Sequence, residues 1–317
     1  MVLRGLKEYV ARRKEEQRRM PISDLAAVVT VTDDGGSSGR LRREHRILPP
    51  GDIRNCMVAL SKDEALLSRL FQYRFTSGRS LYGHSFGNLF LTALTQVTGD
   101  FPEAVRLSSQ VLAIRGRIYP STAQNVTLEA ELQSGRIVRG ETKISKSRSR
   151  IRSVRLVPRD VQPLPEVLSA IREADLVLVG PGSLYTSIIP NLLIEEVREV
   201  LVYSRGVRVY IANLMTQPGE TDGYSVADHV KAIYDHTGRP VFDWVVLNRK
   251  PISSRVLSRY RRVTGAEPVR QSLSELRKMG LRYFTADLLQ EGDVVRHDQR
   301  RLTKVLLEQF VNRAHPR

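Results

Sequence analysis

An α/β fold built on a mostly parallel, doubly wound sheet is expected from three features of the sequence. Short apolar runs suited to buried strands alternate with amphipathic helical stretches between residues 163 and 250. The connections between them are short, as in sheets covered by helices on both faces. Loops rich in glycine, hydroxyl and amide residues follow several of the apolar runs, where open α/β sheets keep their ligands.

Taken in order, LAAVVTVT (25–32) reads as a strand. Residues 52–112 read as helical throughout, with SFGNLFLTALTQV (85–97) the most apolar helix. VTLEAELQSGRIVRGETKI (126–144) alternates and turns at Gln133–Ser134–Gly135, a hairpin signal. SRSRIRSVRLVP then carries the β region to 157, with Arg148, Arg150 and Arg152 on one face of an expected edge strand. A solvated edge protected by charge is the favoured reading, and a phosphate-contacting strip is the alternative. PLPEVLSAIREAD (163–175) has helical spacing, with Val167, Leu168, Ile171 and Ala174 on one face. DLVLVG (175–180) is a strand, LLIEEVREVLVYS (192–204) a helix and VRVYIAN (207–213) a strand. SVADHVKAIYDHTG (225–238) has a serine cap and a glycine stop, and WVVLN (244–248) closes the series. An amphipathic terminal helix is expected over 298–314, with Leu302, Val305, Leu306 and Phe310 facing the core. The whole of 1–317 reads as one α/β domain.

Composition narrows the classes. A chain of 317 residues with 41% apolar content can bury a sizeable core. It has no run of about eighteen apolar residues, so no membrane span is expected. The N-terminal stretch lacks the apolar core of a signal peptide, which points to the cytoplasm. A single cysteine, Cys56, excludes an intrachain disulfide and a multi-cysteine zinc site, and is expected to be a small buried hydrophobe. The net charge of +16 is regional. Residues 1–20, 136–159 and 249–317 carry +4, +8 and +9, so the rest of the chain is slightly acidic and the loops that look like a site are near neutral. No zinc-finger spacing or aromatic RNA-binding motif accompanies the basic stretches, so nucleic acid is not expected as the main ligand.

The loops carry the chemistry. Asp33-Asp34-Gly35-Gly36-Ser37-Ser38-Gly39-Arg40 follows the first strand. Its glycines allow close backbone approach, and its amides and hydroxyls suit phosphate oxygens. The two carboxylates would repel a phosphate unless they hold a bridging cation or sugar hydroxyls; the simpler alternative is a turn with a helix cap. Gly180-Pro181-Gly182-Ser183 follows DLVLV and fits an anion at a helix N-terminus, without matching a Walker pattern. Asn213-Leu214-Met215-Thr216-Gln217-Pro218-Gly219-Glu220 has amides and hydroxyls able to read a base or a sugar, and Asn248-Arg249-Lys250 is a fourth polar strand end. ILPPGDIRNC adds Asp52, Arg54 and Asn55. LYGHSFGNLF sets His84 and Asn88 four apart, on one face if the helix has started. His84 could serve as a general acid or as a neutral donor to a phosphate oxygen. The GHSFG stretch resembles a serine-hydrolase elbow centred on Ser85 only loosely, because no apolar strand precedes it.

TVTDDGGSSGRLR, ILPPGDIRNC, GHSFGNLFL, IRGRIYPST, VLVGPGSLYTSIIPNLL and NLMTQPGETDGYSVADHV, in this order over residues 30 to 230, closely resemble the gluconeogenesis-factor family, relatives of the CofD 2-phospho-L-lactate transferases. The resemblance implies a Rossmann-like three-layer fold and a cytoplasmic bacterial protein. It implies binding of UDP-sugars, notably UDP-N-acetylglucosamine, and a role in cell shape and envelope synthesis during gluconeogenic growth. It brings no settled reaction. In this reading Asp33, Asp34, Gly35, Gly36, Ser37, Ser38, Arg40, Asp52, Arg54, Asn55, His84, Asn88, Gly182, Ser183, Asn213 and Thr216 face the ligand, and a homo-oligomer is expected. In the CofD branch, which transfers a phospholactyl-type group from a nucleotide diphosphate donor, Asp33 and Asp34 would hold Mg2+, the one cofactor in view. The family normally begins with an apolar strand and a glycine-rich phosphate loop, whereas this chain begins inside the following helix. A longer native N-terminus is therefore expected.

Overall fold

The computed structural model describes residues 2–15, 22–61 and 66–311. Helix α1 (Val2–Glu15) precedes strand β1 (Ala26–Val29) and helices α2 (Gly36–His45), α3 (Gly51–Leu60), α4 (Leu66–Gln72), α5 (Phe86–Thr98) and α6 (Phe101–Val111). Strand β2 (Arg117–Pro120) then returns parallel to β1, with Ala27 opposite Ile118. Strands β3 (Thr127–Leu132) and β4 (Ile137–Arg139), helix α7 (Glu141–Lys146) and strand β5 (Ile151–Val157) follow, and the antiparallel sheet they contain has the order β4-β3-β5. The next stretch runs through α8 (Pro165–Glu173), β6 (Leu176–Val179), a π-helix (Leu184–Ile188), α9 (Ile189–Leu192), α10 (Glu195–Val202), β7 (Val207–Ile211), α11 (Val226–Thr237) and β8 (Trp244–Asn248). Helices α12 (Ser254–Val263) and α13 (Leu273–Lys278), strand β9 (Arg282–Ala286), the short hairpin β10 (Leu289–Gln290) and β11 (Arg296–His297), and α14 (Gln299–Leu306) complete the order.

The main sheet is parallel in the order β6-β7-β8-β9, and its two faces can be read from the alternation of its strands. Val209, Ile211 and Val246 point to one side, where they pack with Leu302, Leu306 and Phe310 of the C-terminal segment and with Val2 of α1. Tyr210, Val245 and Leu247 point to the other side, into a larger core with Val197 and Leu201 of α10 and Val230 and Ile233 of α11. Helices therefore cover both faces. The continuous apolar character of VRVYI and WVVLN follows from burial on both sides, and the α/β three-layer expectation holds.

Several boundaries differ from the sequence reading, each for a local reason. The expected helix 192–204 is broken, because Ile194 adopts an extended conformation between α9 and α10. Leu192 and Ile194 are both buried on either side of this break. The parallel series does not close at β8: RYFTA adds β9 beside it, with Val246 opposite Phe284. That strand is half-buried and lacks the long apolar run that marks β7 and β8. The stretch 52–112 is not helical throughout, since residues 73–85 form a turn-rich hairpin closed by Phe75 N–H to His84 O and Gly83 N–H to Phe75 O. GETKI is not strand: it starts α7, entered through Gly140 at φ 94°. Arg148 lies outside β5 in a left-handed turn at φ 49°, so it does not share a strand face with Arg152. Of the nearby arginines, Arg139 and Arg155 pair with the buried Glu129, and Arg152 reaches Glu131 at 2.9 Å. These pairs agree with a charge-protected edge strand. Past α14 the chain continues as a π-helix to Val311, and residues 312–314 of the expected terminal helix lie outside the described residues. Cys56 is half-buried against the core, and burial pushes its thiol up to about 12, so it packs as a neutral group. No helix among the described residues is long and apolar enough to cross a membrane.

Helix α11 forms as its caps require. Ser225 Oγ accepts from Asp228 N–H at 3.2 Å, Asp228 Oδ2 accepts from Ser225 N–H at 2.8 Å, and Gly238 ends the helix at φ 71°. Ser225→Ala is expected to cost about 1 kcal/mol, read as a lower urea midpoint at unchanged slope.

Candidate functional site

The loop after β1 is held by its own carboxylates. Asp33 Oδ1 accepts from Gly35 N–H at 2.8 Å, and Asp34 Oδ1 accepts from Thr142 N–H of α7 at 2.8 Å. Gly35 is the N-cap of α2, and no side chain caps that helix, so the helix-cap reading of the aspartates does not apply. Asp33 Oδ2 and Asp34 Oδ2 make no hydrogen bond to a described residue. Gly51, at the start of α3, is pressed so closely on this loop that a Cβ there would lie 2.8 Å from Asp33 Oδ2.

Behind the loop, Ser37 and Ser38 are buried in the first turn of α2. Ser37 Oγ lies 3.0 Å from His84 Nδ1 and 3.1 Å from Asn88 Nδ2. His84 and Asn88 do not meet as helical neighbours, because α5 begins only at Phe86, with Ser85 as N-cap accepting from Asn88 N–H. Ser37 joins them instead. Burial, reinforced by Arg40, holds the His84 imidazole below its ordinary range, so it is neutral at pH 7. Arg40 and Arg74 donate to the Tyr82 and Gly83 carbonyls, at 2.6 and 2.5 Å, and so fix the hairpin that delivers His84. Arg54 donates to Asn55 at 2.7 Å, while its buried Nε and the buried Asn88 Oδ1 have no protein partner.

The second group forms around the ends of β6 and β7. Asn213 holds Gly182 from both ends of its amide, accepting from Gly182 N–H at 3.3 Å and donating to Gly182 O at 2.9 Å. Gln217 donates to Ser183 Oγ at 2.6 Å. Thr216 is buried against Glu267, exchanging hydrogen bonds of 2.7 and 2.9 Å, so its hydroxyl supports the loop 213–223. A cavity of about 260 Å³ opens beyond β7 and β8, lined by Asn213, Leu214, Asn248, Arg249, Lys250 and Gln271 among others.

Helix α7 links the two groups, and the sequence reading missed it. Thr142 anchors Asp34, and Ser145 Oγ donates to the buried Glu220 at 3.1 Å. Glu141 accepts from Thr32 Oγ1 at 3.3 Å. Burial, then Asp33 and Asp52, push the Glu141 carboxyl up to about 8. Asp52 is raised as well, by burial and then by Asp33. The signal available in the sequence was Gly140-Glu141, a glycine followed by an acidic residue at a helix start, which the strand reading of GETKI concealed. Among the described residues, no three carboxylate, imidazole or thiol groups converge closely enough to hold a metal ion. The free oxygens of Asp33 and Asp34 still suit Mg2+ carried by a ligand's phosphates, which needs only one or two protein carboxylates. Because Glu141 keeps in the folded state a proton that it releases near pH 4.5 when unfolded, stability should fall as pH rises from about 4.5 to 8 and level off above. Glu141→Gln is expected to flatten that slope and raise the melting temperature at pH 8 by a few degrees, measured by calorimetry across pH.

The family model described as 2-phospho-L-lactate transferase CofD matches residues 1–289. A putative gluconeogenesis factor of Nostoc sp. is 46% identical over 317 residues, covering 99% of this chain and 67% of that protein. The gluconeogenesis factor of Bacillus subtilis is 47% identical over 286 residues, 90% of each chain. The crystal structure of a UPF0052 family member from Bacillus halodurans superimposes with a TM-score of 0.89 at 44% identity, covering 96% of this chain and 94% of that one. With that family model matched over residues 1–289 and relatives this similar over most of their length, the chain belongs to the CofD family, beside relatives named gluconeogenesis factors.

Proposed function

We propose that the protein binds a nucleotide sugar, with UDP-N-acetylglucosamine as the ligand to test, and acts as a cytoplasmic factor supporting cell shape and envelope synthesis during growth on gluconeogenic carbon sources. The observation that carries this reading is the meeting of three strand-end loops around α7, through Asp34–Thr142, Glu220–Ser145 and Gln217–Ser183. Ligands of open α/β sheets lie across such strand ends. The chemistry is divided as a nucleotide sugar requires. The unpartnered oxygens of Asp33 and Asp34 are acceptors for sugar hydroxyls, while Arg249 and Lys250 on the cavity rim are cations for a diphosphate.

An enzyme of the CofD type is the second reading, favoured by the family model and by the same two carboxylate oxygens, which could hold Mg2+ at a diphosphate. Isothermal calorimetry separates the possibilities. Saturable heat with UDP-N-acetylglucosamine, weakened about tenfold or more in Asp33→Asn, is the expected result. No heat at millimolar ligand would remove the nucleotide-sugar reading. Mg2+-dependent turnover of a nucleotide diphosphate donor, lost in Asp33→Asn, would make the protein a transferase.

A further inference from the structure

The buried group behind the β1 loop has a definite hydrogen-bond polarity. Asn88 Nδ2 can only donate, so at 3.1 Å it makes Ser37 Oγ an acceptor. Among the described residues, the acceptor left within reach of the one Ser37 proton is His84 Nδ1 at 3.0 Å. A ring nitrogen that accepts is unprotonated, which places the imidazole proton on Nε2. His84 Nε2 makes no hydrogen bond to a described residue. Asn88 itself is 2% exposed, its Oδ1 has no partner, and the neighbouring Arg54 Nε is likewise buried and unpaired.

We propose that Ser37 is a positioning residue that holds His84 as the neutral Nε2–H tautomer, so that the imidazole presents a hydrogen-bond donor to an anionic oxygen of the ligand, with the free Asn88 Oδ1 accepting from a hydroxyl or amide N–H beside it. The donor role rests on the nucleotide-sugar reading; the tautomer does not. Two features of the geometry sustain it. The His84 backbone is fixed by hydrogen bonds from Phe75 N–H to its carbonyl and from its own N–H to Leu81 O, so the ring is delivered by a closed hairpin and not by a free loop. The charged and titratable groups facing the ring are Arg40, Glu44 and His45 of α2 and Arg74 of the hairpin. Three of these four are basic, so the surroundings disfavour an imidazolium and attract an anion. A neutral Nε2–H donor keeps its hydrogen bond without carrying a charge that would compete with the nearby arginines.

Long-range proton–nitrogen NMR of the full chain reads the tautomer directly, without ligand. The expected spectrum shows a protonated Nε2 and an unprotonated Nδ1 for His84 at pH 7. Ser37→Ala should let the ring titrate at higher pH and mix its tautomers, while Ser37→Thr should behave as the unaltered protein. An Nδ1–H tautomer, in which Ser37 Oγ accepts from both the imidazole and the Asn88 amide, overturns the proposal, as does a titration unchanged in Ser37→Ala. Calorimetry with UDP-N-acetylglucosamine, and separately with inorganic pyrophosphate, tests the donor. His84→Gln, whose amide N–H reaches the Nε2 position, should retain affinity within about threefold, and His84→Ala should lose about tenfold or more. Equal affinity in both variants overturns the donor role. Pyrophosphate binding that follows the same order while UDP-N-acetylglucosamine fails to bind would uphold Ser37 and His84 as an anion site and set aside the nucleotide-sugar reading alone.

Discussion

The hydrogen bond from Thr142 N–H to Asp34 Oδ1 is the constraint on which the rest of the site depends. It ties the first strand-end loop to a six-residue helix that arrives more than a hundred residues later in the chain. Gly140 makes the approach possible: at φ 94° it turns the chain into α7, and its missing side chain leaves room for the Asp34 carboxylate. From the other end of α7, Ser145 reaches Glu220. One short helix therefore spaces two loops that belong to different parts of the sheet. A ligand lying across the strand ends meets a distance set by this helix, and not by two independently mobile loops.

The electrostatics follow from that packing. Burial first, and then the nearby charge of Asp33, raises the carboxyls of Glu141 and Asp52. Positive charge stands beside these carboxylates: Arg54 lies close enough to Asp52 and Asp33 to feel both, and Arg40 and Arg74 act on the His84 imidazole. The site thus sets carboxylate acceptors and guanidinium donors side by side. Such polarity matches a ligand with hydroxyls at one place and an anionic group at another, and it fits poorly with a uniformly anionic polymer. The basic stretch near β5 does not alter this, since Arg139, Arg152 and Arg155 are engaged by Glu129 and Glu131.

The architecture was legible because burial on two faces leaves a plain mark. VRVYI and WVVLN are apolar without interruption, and the capping serine and terminal glycine of α11 bracket it to the residue. Strand β9 and helix α7 were not legible for complementary reasons. RYFTA is half-buried at the sheet edge, so its pattern is weak, and GETKI follows a hairpin whose alternation carries past its true end at Arg139. Among candidate residues, the polar, glycine-bearing loop sequences drew attention to Asp33, Asp34, Ser37, His84 and Asn88, and the structure brings the last three together. Their mutual arrangement was hidden: His84 and Asn88 look like helical neighbours but meet through Ser37, which is 47 residues from His84 in the chain. Glu141 and Glu220 were not among the candidate residues, and the packing of α7 is what gives them a place. Asn213 and Thr216 show the reverse, since their polar groups serve Gly182 and Glu267 within the loops themselves.

Hydrogen exchange with and without UDP-N-acetylglucosamine tests most directly whether the three loops act as one site around α7. Slowed exchange appearing together in the loops 33–40, 180–183 and 213–222 and in 140–147 across α7, at the same ligand concentration, is the expected result. Protection that omits 140–147, or that is confined to the basic C-terminal segment, would contradict a site organised by this helix.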